Sequence, residues 1–193
     1  FRRRFRVDTR NLFTEGHFDC NLDAWERISS EPLADISFTA FDVDGALISG
    51  GAAYSNTQDS DAYSMGQCVK LDKPGGYRMT GSLWLRDLES ELTVRKVCEI
   101  FPQEGCAGAS SSTEMDEETF AAAMPDEWTE LTPWTFQAPA GSLSAVCSLD
   151  LLPADPTADM SVLVDDLVLT DQVFLDGFET GDTSGWTTTV NGN

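Results

Sequence analysis

The chain reads from end to end as short runs of β-branched and aromatic residues broken by Gly, Pro, Asp and Asn. Runs of this length, bounded by turn residues, predict strands rather than helices. The clearest cover 36–41, 65–71, 77–86, 92–101, 128–136, 143–151 and 160–169. Alternation is plainest in the last, where Val162, Val164 and Leu167 to Leu169 flank Asp165 and Asp166. Pro74-Gly75-Gly76 marks a turn between two runs, and Ala138-Pro139-Ala140-Gly141 marks another. Segment 114–124 breaks the series. Acidic residues gather there behind Thr113, which stands as an N-cap, and predict a short helix inserted in a loop. Regularly spaced strands with turns between them predict an all-β antiparallel sandwich of the jelly-roll kind, with that one helical insertion.

One pattern occurs twice. Near the start, Asn11-Leu12-Phe13-Thr14-Glu15-Gly16-His17-Phe18-Asp19 leads through an acidic spacer to Trp25. Near the end, Phe174-Leu175-Asp176-Gly177-Phe178-Glu179 leads to Trp186. Both read as a strand entering a turn with a buried aromatic on each side. The second copy has no body behind it, so it resembles the first strand of a sandwich that does not follow. Three parts are therefore expected: a basic arm over 1–10, the sandwich over 11–171, and a tail over 172–193.

Charge narrows the class of partner. The 193 residues hold 12 Lys and Arg against 33 Asp and Glu, a formal charge of −21. Such a body repels nucleic acid and anionic membrane, and favours cations, basic surfaces or neutral ligands such as sugars. The first ten residues oppose the rest: five arginines and one aspartate give +4, so the remainder carries −25. No run approaches the ~18 apolar residues that would span a bilayer. Neither a signal peptide nor an initiator Met is present, so the chain reads as a processed form.

Cys20, Cys68, Cys98, Cys106 and Cys147 fit no zinc spacing and read as disulfides formed in an oxidising, extracellular or cell-surface setting. Cys68 with Cys106 and Cys98 with Cys147 is the preferred pairing, Cys98 with Cys106 the rival, and Cys20 the leftover. No glycosylation sequon occurs, which fits a bacterial source. Catalysis is not expected. His17 is the sole histidine and sits beside Phe18 as a packing residue, and paired carboxylates arise by chance among 33 acids. Asp42-Val43-Asp44-Gly45 lacks the distal ligands of an EF-hand and reads as a β-turn.

Four segments in order carry a family resemblance. The opening 11–25 is the first. Gln67-Cys68-Val69, Pro74-Gly75-Gly76-Tyr77 and Leu83-Trp84-Leu85-Arg86 form the second. Trp128-Thr129-Glu130-Leu131 through Phe136-Gln137-Ala138-Pro139-Ala140-Gly141 is the third, and Val164-Asp165-Asp166-Leu167-Val168-Leu169 the fourth. Together, over roughly 11–170, they resemble carbohydrate-binding modules of the CenC-like, family 4/9 type. The tail, from Asp176 to Trp186, resembles C-terminal segments of secreted bacterial proteins.

The resemblance implies a jelly roll, often with a structural calcium where the opening strand meets the closing one. Its ligands here would be Asp19, the backbone oxygen of His17, and Asp165 or Asp166. Sugar binding would need exposed aromatics, for which Trp84, Trp134, Tyr54, Tyr63 and Tyr77 are the candidates. Trp25, Trp128 and Trp186 hold motif positions and are expected in the core.

Two functions follow from these readings. The first is a non-catalytic extracellular subunit that assembles with other copies of itself into a filament or matrix. It would do so by strand exchange through Phe1, Arg3, Phe5, Phe174, Phe178 and Trp186 in the terminal segments. The alternative is a carbohydrate-binding module that recognises a glycan through its aromatics.

Overall fold

The computed structural model describes residues 10–18, 21–27, 35–43, 50–55, 62–122 and 126–171. The strands among them are β1 (Glu26–Arg27), β2 (Asp35–Thr39), β3 (Gly51–Ser55), β4 (Tyr63–Lys70), β5 (Gly75–Arg86), β6 (Leu92–Phe101), β7 (Ser112–Phe120), β8 (Trp128–Glu130), β9 (Trp134–Ala138), β10 (Ser144–Pro153) and β11 (Ser161–Asp171). They form two antiparallel sheets, β1-β4-β10-β6-β7 and β2-β3-β11-β5-β8, with β9 also paired to β5. The expected sandwich is found. The predicted run 128–136 is two strands, β8 and β9, separated by Leu131 to Pro133.

Period-two alternation sets the inside of each sheet. From the first sheet Tyr63, Met65, Val94, Cys98, Leu149 and Leu151 point inward, and from the second Tyr54, Tyr77, Met79, Leu83, Val162 and Leu169 meet them, all buried. Two disulfides staple this arrangement. Cys98 and Cys147 lie opposite each other on β6 and β10, and Cys68 on β4 reaches Cys106 in a short 3-10 turn at Glu104–Cys106. The preferred pairing therefore holds, and the rival Cys98–Cys106 does not form. Cys20 lies outside the described residues.

The predicted helix over 114–124 is wrong: residues 112–120 are strand β7, paired with β6 along its length. The cause is Lys96. Its side chain points inward from β6 and is wholly buried. Its ammonium meets Asp116 at 2.9 Å and Glu118 at 3.1 Å, and donates to the Thr132 carbonyl at 2.7 Å. Glu118 also accepts the Thr132 amide at 3.1 Å. Asp116 and Glu118 are thus acids on one face of an edge strand because they answer a buried cation. Alternate acids suit a strand as well as they suit a helical first turn, and the cation that decides between the two is distant in sequence.

The opening motif closes one end of the sandwich. Asn11 accepts the Leu169 amide at 2.9 Å and donates to the Leu167 carbonyl at 3.0 Å, which ties it to the second sheet. Gln67 of the first sheet accepts the Thr14 amide at 2.7 Å and donates to the carbonyls of Thr14 and Ala24. Phe13, Phe18 and Trp25 plug the space between, with ring centroids 4.9 and 5.3 Å apart. Gly16 is required there, since a Cβ on it would lie 2.1 Å from the Leu167 carbonyl oxygen.

Replacing Gly16 by Ala should therefore cost about 3 kcal/mol or more, because backbone rather than a side chain must move. Lys96→Met keeps the buried stem but strands Glu118 and the Thr132 carbonyl, and should cost about 3 kcal/mol. Urea unfolding checks both through a lower midpoint at unchanged slope. A midpoint equal to wild type would refute the corresponding assignment.

Candidate functional site

Outward positions on the second sheet carry the polar and aromatic side chains that could meet a ligand. On β5 these are Arg78, Thr80, Ser82 and Trp84, each two residues from the next. On β8, Trp128 stands opposite Trp84 and Glu130 opposite Ser82. Beyond the end of β2, Phe41 leans over the same spot. Its ring is 4.6 Å from Trp84 edge-on and 5.9 Å from Trp128 in a stacked orientation, while Trp84 and Trp128 meet edge-on at 5.6 Å. Phe41 is 43% exposed, and both tryptophans are half-buried. The Trp84 indole N–H donates to Asp126.

This is a platform. Three rings hold one another at angles that leave edges and faces toward solvent, and edge-to-face pairing fixes them without full burial. A groove of about 240 Å³ adjoins it, lined by Arg78, Thr80, Ser82, Glu130, Asp166 and Val168 among others. Cationic, anionic and hydroxyl groups therefore stand within one strand's length of the rings. Such a mixture of donors and acceptors suits a ligand rich in hydroxyls.

A β-bulge between Asp165 and Val168 of β11 sets the floor. Asp165 faces outward by alternation, opposite Ser82, and one extra residue after it lets Asp166 leave the core side too while Leu167 and Leu169 stay in it. Asp166 has a positive φ of 57° and its carboxylate contacts His17. Asp165 goes to the other side. It is 1% exposed, and accepts the Val43 amide at 3.0 Å and the Asp166 amide at 2.7 Å. Burial pushes its carboxyl up to about 6, against the opposing pull of those two amides and with help from Asp42 and Asp166.

The sequence-derived candidates divide sharply. Of Trp84, Trp134, Tyr54, Tyr63 and Tyr77, only Trp84 belongs to the platform. The three tyrosines are wholly buried and Trp134 is 8% exposed, because all four occupy inward positions of their strands. Tyr77 packs on Phe136 and donates its hydroxyl to the Lys73 carbonyl. Trp128, expected in the core, lies instead on the outer face, whereas Trp25 is buried as expected. Phe41 was missed. Its signal was an aromatic set directly before the turn residues Asp42, Val43 and Asp44, where a core residue has no reason to be.

Of the expected calcium ligands, His17 and Asp166 meet, Asp165 is engaged by backbone amides, and Asp19 lies outside the described residues. Among the described residues no group of three or more His, Cys, Asp and Glu side chains is placed to hold a metal ion. The assembly residues Phe1, Arg3, Phe5, Phe174, Phe178 and Trp186 also lie outside the described residues.

The outer face of the first sheet offers a contrast. It presents Ser64, Gly66, Thr93, Val97, Val146 and Ser148, with an Arg95–Glu117 ion pair at 2.5 Å and Asp150 accepting from both serines. A groove of about 440 Å³ crosses it beside the Cys68–Cys106 disulfide. No exposed aromatic side chain stands on it among the described residues.

No family model matches the chain, and no curated protein matches its sequence. Solved structures do share its fold. The enzymatically active domain of tailspike protein 4 from bacteriophage CBA120 aligns with TM-score 0.59 at 10% identity over 83% of this chain, which spans 21% of the tailspike chain. A structure described as Family 16 Carbohydrate Binding Module-2 aligns at 0.56 and 16% identity, over 83% of this chain and 100% of its own. The CBM22-1 xylan-binding domain of Paenibacillus barcinonensis Xyn10C aligns at 0.50 and 14% identity, over 83% and 90%. The fold is that of the jelly-roll carbohydrate-binding modules.

Asp165 gives the site a measurable signature. A folded pKa above the ordinary value means a stability contribution complete below about pH 4 and lost as pH rises through about 6. The melting-temperature advantage of wild type over Asp165→Asn should therefore shrink between pH 4 and pH 7, and an advantage independent of pH would contradict the assignment.

Proposed function

We propose that this chain is a non-catalytic extracellular module that binds a glycan on the Phe41–Trp84–Trp128 platform. The observation that carries the reading is the platform itself: three aromatic rings held by one another on an outer face, beside a groove of mixed polar groups. Pyranose rings present apolar C–H faces to such aromatics, and their hydroxyls pair with flanking carboxylates, hydroxyls and guanidinium. Similarity of fold to carbohydrate-binding modules supports the same reading, and one of these is described as xylan-binding. Two disulfides support an oxidising, extracellular setting.

Absence of catalysis is part of the proposal. The sole histidine is committed to Asp166 at the mouth of the opening motif, and Asp165 is spent on holding backbone. Assembly through strand exchange has no support among the described residues, since the segments it needs lie outside them.

The test is affinity gel electrophoresis against soluble xylan, mixed-linkage β-glucan and galactan, followed by titration of whichever retards the protein. Trp84→Ala and Trp128→Ala should each weaken binding about tenfold or more while leaving the melting temperature within a few degrees. Binding unchanged in both variants would move the site elsewhere, and retardation by no polysaccharide would count against the module reading altogether.

A further inference from the structure

The platform is built from three separate pieces of chain, and two of them are strands. Trp84 is fixed by β5 and Trp128 by its pairing with β5 in β8. Phe41 has no such support. It lies beyond Thr39, the last residue of β2, in a segment without ladder hydrogen bonds to a neighbour. Yet its ring makes the shortest contact of the three, at 4.6 Å from Trp84. Something else must hold it.

Two contacts do so. The first is Asp165. In register opposite Ser82, on the outer face just before the β11 bulge, this carboxylate accepts the amide of Val43, two residues beyond Phe41. It is 1% exposed. Its other oxygen takes the Asp166 amide at 2.7 Å, so the carboxylate is fixed at both ends and cannot swing away. The second contact is the absence of a side chain at Gly51. A Cβ there would stand 2.8 Å from the Val164 carbonyl oxygen and 3.3 Å from that of Phe41, so the Phe41 backbone seats directly on β3. Asp165 also occupies β11 opposite Ser82, and Leu163, two residues before it, stands opposite Trp84. The anchor of the Phe41 segment is therefore built into the strand next to the one that carries Trp84.

We infer that Asp165 is a positioning residue for ligand recognition: its carboxylate clamps the Val43 amide and thereby holds Phe41 against Trp84 and Trp128. The ligand-binding arm of this inference rests on the glycan reading above, whereas the placement of Phe41 does not. Asp165→Asn is close in shape but turns one acceptor into a donor, which faces an amide donor and breaks the clamp. Phe41→Ala removes the ring and leaves the clamp.

The experiment compares the full chain with Asp165→Asn, Phe41→Ala and the double variant. Near-ultraviolet circular dichroism without ligand reports the tryptophan environment. Binding to the same three polysaccharides reports recognition, and hydrogen exchange reports the Val43 amide of the wild type. Asp165→Asn should reproduce the dichroism change of Phe41→Ala and weaken binding by a similar factor, about fivefold to tenfold. The double variant should be no weaker than Phe41→Ala alone, because both changes act through one ring. The Val43 amide should be protected.

A folded Asp165→Asn with wild-type dichroism would overturn the inference, as would additive losses in the double variant or an unprotected Val43 amide. Should Asp165→Asn not fold, exchange at Val43 in the wild type decides. Failure of the wild type to bind any of the three polysaccharides defeats the glycan reading and leaves the dichroism and exchange arms to judge Asp165.

Discussion

A single extra residue in β11 decides what both sides of the second sheet present. Up to Val164 the strand alternates in step with β5, and after Val168 it does so again, but between them three residues of β11 oppose two of β5. Without that insertion, Leu167 and Leu169 would face solvent and Asp166 would be driven inward, since a one-residue slip exchanges the faces of a strand beyond it. With it, both leucines are fully buried. Gly81 supplies the room: a Cβ there would sit 2.6 Å from a Leu167 methyl. The same insertion turns Asp166 toward His17, while Asp165, directly before it, reaches the Val43 amide. Core integrity, closure by the opening motif and placement of the aromatic platform all meet at this stretch of β11.

The opening motif shows how local chemistry serves that closure. Asn11 acts as a surrogate strand residue, giving to the Leu167 carbonyl within the irregular part of β11 and taking the Leu169 amide just after it. Gly16 then accepts the Leu167 amide on its carbonyl, which a side chain at that position would obstruct. The Asn, Gly and Trp of this motif are thus parts of one device. It caps backbone groups freed by the bulge while Trp25 fills the cavity beneath and donates its indole N–H to the Glu15 carbonyl.

Much of this architecture was legible in the pattern of residues, and the failures have common causes. Strands 77–86 and 92–101 could be read because their ends are marked by turns and their faces by alternation. β7 could not, because acids at every second position carry no hydrophobic signal, and only the buried Lys96 on another strand explains them. β1 has two residues and β3 consists of small residues and one tyrosine, so neither has enough pattern to detect. The site misreadings were of another kind. Tyr54, Tyr63 and Tyr77 offered polar tips that suggested exposure, but parity within a strand, not residue type, decides which face a tyrosine occupies. Trp128 was placed in the core because it begins a motif, although its β5 partner Trp84 is read as a surface candidate, and residues directly opposite share a face.

The two outer faces differ in what they can offer a neutral ligand. The first sheet spends its polar side chains on one another: Arg95 on Glu117, and Ser64 and Ser148 on Asp150. A ligand there would have to displace existing hydrogen bonds and would gain no aromatic surface in return. On the second sheet the aromatic rings are already desolvated against each other, so the ordering cost of a platform is met on folding and not on binding. The wall beside it keeps Arg78 and Glu130 of opposite charge within one groove, and no ion pair engages either among the described residues. In a chain of net charge −21 a single-sign acidic groove would have favoured cations. The local balance at this place, set beside apolar rings, instead favours an uncharged ligand with many hydroxyls.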